Sequence, residues 1–349
     1  AIVVGALLAG RHGWWTARRP FRIGDLEIAP LGLSVTPWLI AFGIGVLCLF
    51  GWRLVATKRR GRTPLVEPGI FRLAKFVTGF STDALQSVTL AGLLFVTPLF
   101  LQQTLGLDAL GAGVVLLPLS ASVLLVSLVT PNWSRWIHAK YLTIVGAAAM
   151  AAGVGGMMLV LEPGMNEWDL TIPLIIFGAG TGLLLAQVPN LTLSAVEEDL
   201  ADDGSGVQNS TKELGTSLGT AVIGSVLLVS TMTGVVVGVS EARGEPVDAA
   251  RLDQIVVDYE DALESASADE KKIFFEGLNI SVGGQLDEIT EKAQYDAMNS
   301  ALVVLGIFVL LALVAALFLP RGKLADAKHP EDRDNQRFGK RAPYPERGL

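Results

Sequence analysis

The sequence predicts an all-α polytopic membrane protein, and three observations carry that reading. Apolar residues make up 51% of the chain and charged residues only 17%, and the mean hydropathy is +0.49, above what a water-soluble domain usually carries. Seven apolar runs, at about 37–56, 74–101, 109–131, 141–161, 170–195, 206–236 and 299–319, are long enough to cross a bilayer. The requirement is roughly 20 residues, which at about 1.5 Å each cover a hydrocarbon core of ~30 Å. Basic residues collect in alternate loops between these runs, as they do where a multi-spanning chain is oriented in a membrane.

The chain opens with AIVVGALLAG, a partial apolar run at 1–9 with no Met and no basic flank ahead of it. A secretory signal carries positive charge before its apolar core. Residues 1–9 are therefore read as the tail of a longer transmembrane helix, and the sequence as a C-terminal fragment. In the first complete run, Thr36-Pro37 gives a start signal, a hydroxyl cap followed by proline at the first helical position. KRRGR stops it, and Trp38 and Trp52 lie near its ends as in an aromatic belt. With no charge between those tryptophans, this span reads as peripheral and lipid-facing.

Run 74–101 differs, because Asp83 and Gln86 lie two to three turns beyond Lys75. A carboxylate at membrane depth costs a few kcal/mol (about 3), so such groups face a bundle interior or a wet cavity. Two readings stand: Asp83 meets a substrate cation or a proton, or it lies close enough to the basic face to reach water. Pro98 and Pro118 interrupt two runs, and Pro173 and Pro189 bracket 170–195. Such prolines bend helices whose neighbours re-satisfy the freed carbonyls. Run 170–195 also holds GAGTG (178–182), with Gln187 and Asn190 around Pro189; the two amides either line a cavity or hydrogen-bond between helices.

Run 206–236 begins within SGVQNSTKELGTSLGTAVIGSVLL (205–228). Ser205 and Gln208 have capping-box spacing, and the acidic EEDLADD ahead of them suits a helix N-terminus. Polar residues 208–213, including Asn209, Lys212 and Glu213, then form the first turns at the membrane interface. Beyond them, Gly215 and Gly219, Ser217 and Ala221, and Thr220 and Gly224 are each four apart. Such small-residue rows let helices approach closely in lipid, which marks this helix as a packing centre.

Loop 57–75 holds six Lys or Arg, loop 131–140 holds Arg135 and Lys140, and the tail 320–349 holds eight. Even numbers of spans separate these three segments, so they share one face, expected to be cytoplasmic. Loops 102–108 and 162–169 hold none; loop 10–35, with Arg11, Arg18, Arg19 and Arg22, runs against the pattern. Segment 237–297 carries fifteen acidic and five basic residues, and Ile255, Val256, Tyr259 and Leu263 predict an amphipathic helix within it. The resulting organisation is 1–72 (end of one helix, external loop, second helix and cytoplasmic loop), 73–236 (five helices), 237–297 (acidic extracytoplasmic loop), 298–320 (last helix) and 321–349 (cytoplasmic tail).

One cysteine, Cys48, and three scattered histidines, at 12, 138 and 329, exclude a disulfide framework and argue against a metal site. The absence of HExxH, of paired histidines and of a Ser/His/Asp grouping argues against an enzyme. Basic residues confined to loop faces give no support for nucleic-acid binding.

Two stretches resemble the fourteen-spanner drug/proton antiporters of the major facilitator superfamily. In FVTPLFLQQTLGLDALGAGVVLLPLS (95–120), Leu101-Gln102, Leu105-Gly106, Ala112-Gly113 and Pro118 match a helix end, a Leu-Gly turn, an Ala-Gly pair and a mid-helix proline. In 205–228, Asn209, Leu214, Gly215, Leu218, Gly219, Ala221 and Gly224 match a second motif, with Lys212-Glu213 where Arg-Gln is usual. A third motif, a cytoplasmic turn in 130–140, keeps Arg135 and Lys140 but has Ser134 where its acid would fall.

The resemblance implies two six-helix halves plus two linker helices. Residues 1–9 and 37–56 would be the linker pair, and 74–319 the C-terminal half. It further implies a multi-pass protein of the cell membrane with a cytoplasmic C-terminus, exporting amphipathic or cationic small molecules by alternating access. The proton gradient would supply the energy, with no cofactor. Asp83, Gln86, Gln187 and Asn190 are the candidates for the pathway. The main coupling acid of the family lies in the N-terminal half, absent here, so this segment alone is not expected to transport. Alternatives are an exporter or uptake permease for a dedicated metabolite, and a membrane sensor or anchor whose working part is 237–297.

Overall fold

The computed structural model describes residues 1–12, 21–23, 26–28, 34–194, 196, 200–244, 282 and 284–319. The acidic stretch around 255–263 and the tail 321–349 lie outside the described residues. Within them are eight α-helices: α1 (Ile2–His12), α2 (Val35–Arg59), α3 (Ala74–Gln103), α4 (Ala109–Trp133), α5 (Ala139–Val160), α6 (Thr171–Leu193), α7 (Ala201–Ala242) and α8 (Leu286–Leu317). Seven of them, all but α1, have the length and apolar composition to cross a membrane. Two three-residue strands, Phe21–Ile23 and Leu26–Ile28, pair antiparallel between α1 and α2 with Arg22 opposite Glu27. They sit in the span read from sequence as loop, since three residues are too few to show an alternating pattern.

The helix starts show where local chemistry differed from the expected signals. Ser34, not Thr36, caps α2, its hydroxyl accepting from the Thr36 backbone N–H at 3.2 Å. Pro37 thus falls in the first turn, where its missing N–H removes no intrahelical bond. Asp108 caps α4 by accepting from the Gly111 N–H at 2.7 Å, after a turn in which Gly106 takes φ +67°, a conformation that glycine adopts without a Cβ penalty. Ahead of α6, the Asn166 side chain accepts from the Trp168 N–H and the Asp169 carboxylate from the Asn166 N–H. Helix α7 begins five residues earlier than its capping-box spacing suggested, so Ser205 lies inside it and donates back to the Asp202 carbonyl. Asp202 and Asp203 occupy its first turn, complementing the helix dipole. At 42 residues this helix is about 63 Å long, well beyond one hydrocarbon thickness.

Helices α3 and α6 are the centre of the bundle: more than half of their membrane-length windows is buried, against about a tenth for α2. Helix α3 packs on α7 and α8 as α6 packs on α4 and α5, and α3 and α6 touch each other. Exchanging the first three helices for the last three therefore repeats these contacts, the arrangement of an internal three-helix repeat. The long α7 and α8 add a contact without a strong counterpart, Gly234 and Gly238 lying against Ala293 and Ile289.

Close approach is made by glycine. Along α6, a Cβ on Gly178 would sit 2.6 Å from the Leu119 carbonyl oxygen and one on Gly182 2.7 Å from that of Val123, both on α4. Gly180, between them, faces the opposite way, and its Cβ would sit 2.6 Å from the Met150 backbone nitrogen on α5. The GAGTG stretch thus serves two interfaces at once, and the Ser122 hydroxyl adds a 2.8 Å bond to the Ile175 carbonyl. Phe100, Met150, Phe177, Leu184, Met298 and Leu305 fill the core. The outer faces expose Phe42, Leu49, Leu117, Leu125 and Leu128, as lipid rather than water requires.

Candidate functional site

A polar layer crosses the interior of the bundle between α3, α6 and α7. Asp83 is nine residues into α3, about 13 Å from its start, and is only 4% exposed. Its carboxylate accepts a 3.0 Å hydrogen bond from the Gln208 side-chain amide on α7. One turn along α3, the buried Gln86 donates to the Thr181 carbonyl on α6 at 3.4 Å, and its side-chain oxygen has no partner.

Gln187 belongs to the same level. Helices α3 and α6 run antiparallel, with Gly79 against Thr192 and Gln86 reaching Thr181. Interpolating between those two contacts sets Gln187 at the height of Thr82 and Asp83 along the helix pair. It is 2% exposed and its side-chain oxygen is unpartnered. The layer therefore holds one carboxylate, three amides and two unused acceptor oxygens, each unused one costing about 1–3 kcal/mol if left dry. Helix α7 can approach α3 this closely because Gly215 faces the Ala84 carbonyl and Gly219 the Val88 carbonyl.

Of the four pathway candidates, Asp83, Gln86 and Gln187 are buried at one level of the bundle and Asn190 is not. Asn190 is exposed and donates to the Ala186 carbonyl of its own helix. Gln208 was missed, having been read as half of a capping box. Its signal was the stripe Gly204, Gln208, Gly215, Gly219, whose spacings of four, seven and four put it on the buried face of α7. The motif residues divide similarly. Gly215 and Gly219 pack, and Gly224 lies against the Phe95 ring. Gly113 has open space around it, Gln102 donates to the Pro98 carbonyl, and Asn209 and Glu213 are exposed.

Residues 3–220 match the family described as the Major Facilitator Superfamily. The chain belongs to that superfamily. It is 26% identical over 221 residues to the multidrug resistance protein Stp of Mycobacterium tuberculosis, covering 63% of this chain and 40% of that protein. It is 25% identical over 268 residues to the probable actinorhodin transporter of Streptomyces coelicolor, covering 70% and 46%. It is 27% identical over 292 residues to the tetracenomycin C resistance and export protein of Streptomyces glaucescens, covering 82% and 51%. The chain spans about half the length of these curated relatives.

Within this major facilitator lobe, contacts at the basic end tie the helices together. Lys58 at the end of α2 pairs with Glu67, whose backbone N–H donates to Asp203 of α7 at 2.9 Å. The hydrogen bond from Lys58 holds the Glu67 carboxyl below the usual carboxylate range, helped by the Gly69 N–H. In the turn after α4, Arg135 is exposed and Ser134 donates to the Pro131 carbonyl of its own helix. Lys140 instead donates to the Leu317 carbonyl at 2.8 Å, capping the end of α8.

Proposed function

We propose that this lobe is the C-terminal half of a proton-coupled exporter of amphipathic or cationic small molecules, working by alternating access between two repeat-built halves. Its partners are the lipid bilayer, the small-molecule substrate and an N-terminal half of the same chain. It sits in the cell membrane with the basic loops and the C-terminus cytoplasmic, and neither catalysis nor a cofactor is part of the cycle; the proton gradient is the energy source. The observation that carries this reading is the Asp83 carboxylate, buried in the half of α3 nearer the basic loops and bridged to α7 by one amide. A carboxylate so placed gains or loses a proton only together with a change in its surroundings, which links protonation to the α3–α7 contact.

The test uses the intact protein in everted membrane vesicles, following ethidium accumulation driven by an imposed pH gradient. The wild type should accumulate the dye and lose it on addition of a protonophore. Asp83→Asn should abolish gradient-driven accumulation while dye binding persists. Unchanged accumulation in Asp83→Asn overturns the part of Asp83 in the coupling, and accumulation indifferent to the protonophore overturns the coupling itself. The names of two relatives, which specify actinorhodin and tetracenomycin C, favour a second reading, export of one dedicated metabolite. Saturating competition by a single compound and none by ethidium would select it.

A further inference from the structure

We infer that the segment joining α2 to α3 is a binding surface for anionic phospholipid headgroups in the leaflet at the basic end. Of its six basic residues, Lys58 is taken by Glu67. The other five, Arg59, Arg60, Arg62, Arg72 and Lys75, are exposed, and among the described residues none of their side chains has an ion-pair or hydrogen-bond partner. Orienting a chain in a membrane requires such charges to stand on one side. It does not require them to be left unpaired around a turn of fixed shape.

That turn is Pro68–Arg72, a 3₁₀ helix packed on both α2 and α3, so it draws the charges that end α2 towards those that open α3. Ile70 is buried beneath it, the Glu67 carboxylate accepts from the Gly69 N–H at 3.2 Å, and the Phe71 ring stands edge-on to Phe76 and Phe80. Apolar side chains are nevertheless turned outward at the same level: Leu65 is 79% exposed, Phe71 43% and Leu73 39%. Cations and apolar groups side by side, between the ends of two membrane-length helices, match the two parts of a lipid at its interface. The phosphate meets the arginines and the top of the acyl chains meets Leu65, Phe71 and Leu73. A soluble acidic partner would satisfy the charges and leave those three side chains in water. The chain's own tail, 320–349, carries eight basic residues against five acidic ones, so it repels this surface rather than covering it. The surface is also tied to the polar layer, because the Glu67 N–H donates to Asp203 in the first turn of α7, five residues ahead of Gln208. A headgroup held here braces the end of α7 that carries the partner of Asp83.

The test reads binding and does not depend on transport. In the intact protein, with Cys48 and any cysteine outside this sequence replaced by Ser, bimane is attached at Gly61→Cys, an open position beside the charges. The labelled protein is placed in phosphatidylcholine nanodiscs with increasing fractions of phosphatidylglycerol or phosphatidylcholine brominated high in the acyl chain, and quenching is followed. At low salt the glycerol lipid should quench with an apparent affinity about fivefold above that of the choline lipid, the size of one Lys or Arg contact with an anionic surface. High salt should reduce the preference. Arg60→Gln/Arg62→Gln/Arg72→Gln should remove it, and Arg60→Lys/Arg62→Lys/Arg72→Lys should keep it, which separates loss of charge from loss of fold. Arg135→Gln, in the other basic turn, should leave it unchanged, and Leu65→Ser/Leu73→Ser should weaken quenching by both lipids. An absent preference in the wild type, a preference kept by the glutamine variant or lost in the lysine variant, or an equal loss in Arg135→Gln would each overturn the assignment. Relief of quenching by equimolar glycerophosphoglycerol or polyglutamate would also overturn it, pointing to a soluble anion or an acidic protein instead.

Discussion

The Asp83–Gln208 bond concentrates two costs in one place, a buried carboxylate and the close helix approach that lets a single amide reach it. Replacing Gln208 by Leu leaves the carboxylate without its donor. A hydrogen bond to a charged group is worth about 1.5–3 kcal/mol, so Gln208→Leu should lower the melting temperature in detergent, and Asp83→Asn/Gln208→Leu should lower it less than the single change. A double variant that melts below Gln208→Leu would contradict this. At the basic end, Glu67 titrates in a different setting, partly exposed and paired with Lys58. Because its carboxyl is held below its ordinary 4.5, the stability it lends is fully present above that value and is lost as pH falls through the lowered one. Amide exchange in 61–72, corrected for the intrinsic rate, should therefore be unchanged from pH 7 to pH 5 and rise only in stronger acid. Glu67→Gln should raise it at all these values. Asp83, Gln86 and Gln187 were legible because polar groups in an apolar run must be housed. Asn190 instead bonds to its own helix's Ala186 carbonyl, a contact that leaves no trace in spacing.

At the scale of elements, glycine placement sets which helices can touch. The alternation in GAGTG gives α6 one glycine face for α4 and one for α5, and this is why α6 is central although its composition resembles that of its neighbours. A Leu at Gly180 would have to displace backbone atoms of α5, since the added Cβ alone falls 2.6 Å from the Met150 nitrogen. Overpacking of this kind costs about 1–3 kcal/mol or more, so Gly180→Leu should lower the thermal midpoint of the purified protein by several degrees. The same change at Gly155, which has open space around it, should leave the midpoint unmoved. Equal effects at the two positions would contradict the close-approach account. The existence of each span was legible from hydropathy alone. Helix ends were less so, because caps such as Ser34 and Asp108 act through one or two local bonds, and the extension of α7 to Ala242 runs through residues apolar only in part.

For the molecule as a whole, the sequence carried the helix count and the alternation of charged loops, while the repeat of three helices became visible only from which helices pack together. That repeat, the superfamily match over 3–220 and the buried polar layer rest on a single arrangement: the helices cross a bilayer in alternating directions from α2 to α8. The most direct check replaces Cys48, the one cysteine, by Ser and introduces Gly61→Cys after α2 or Gly244→Cys after α7, both at open turn positions. A membrane-impermeant maleimide applied to intact cells should label the cysteine at 244 at once and the one at 61 only after permeabilisation. Labelling of both from the same side would contradict the account.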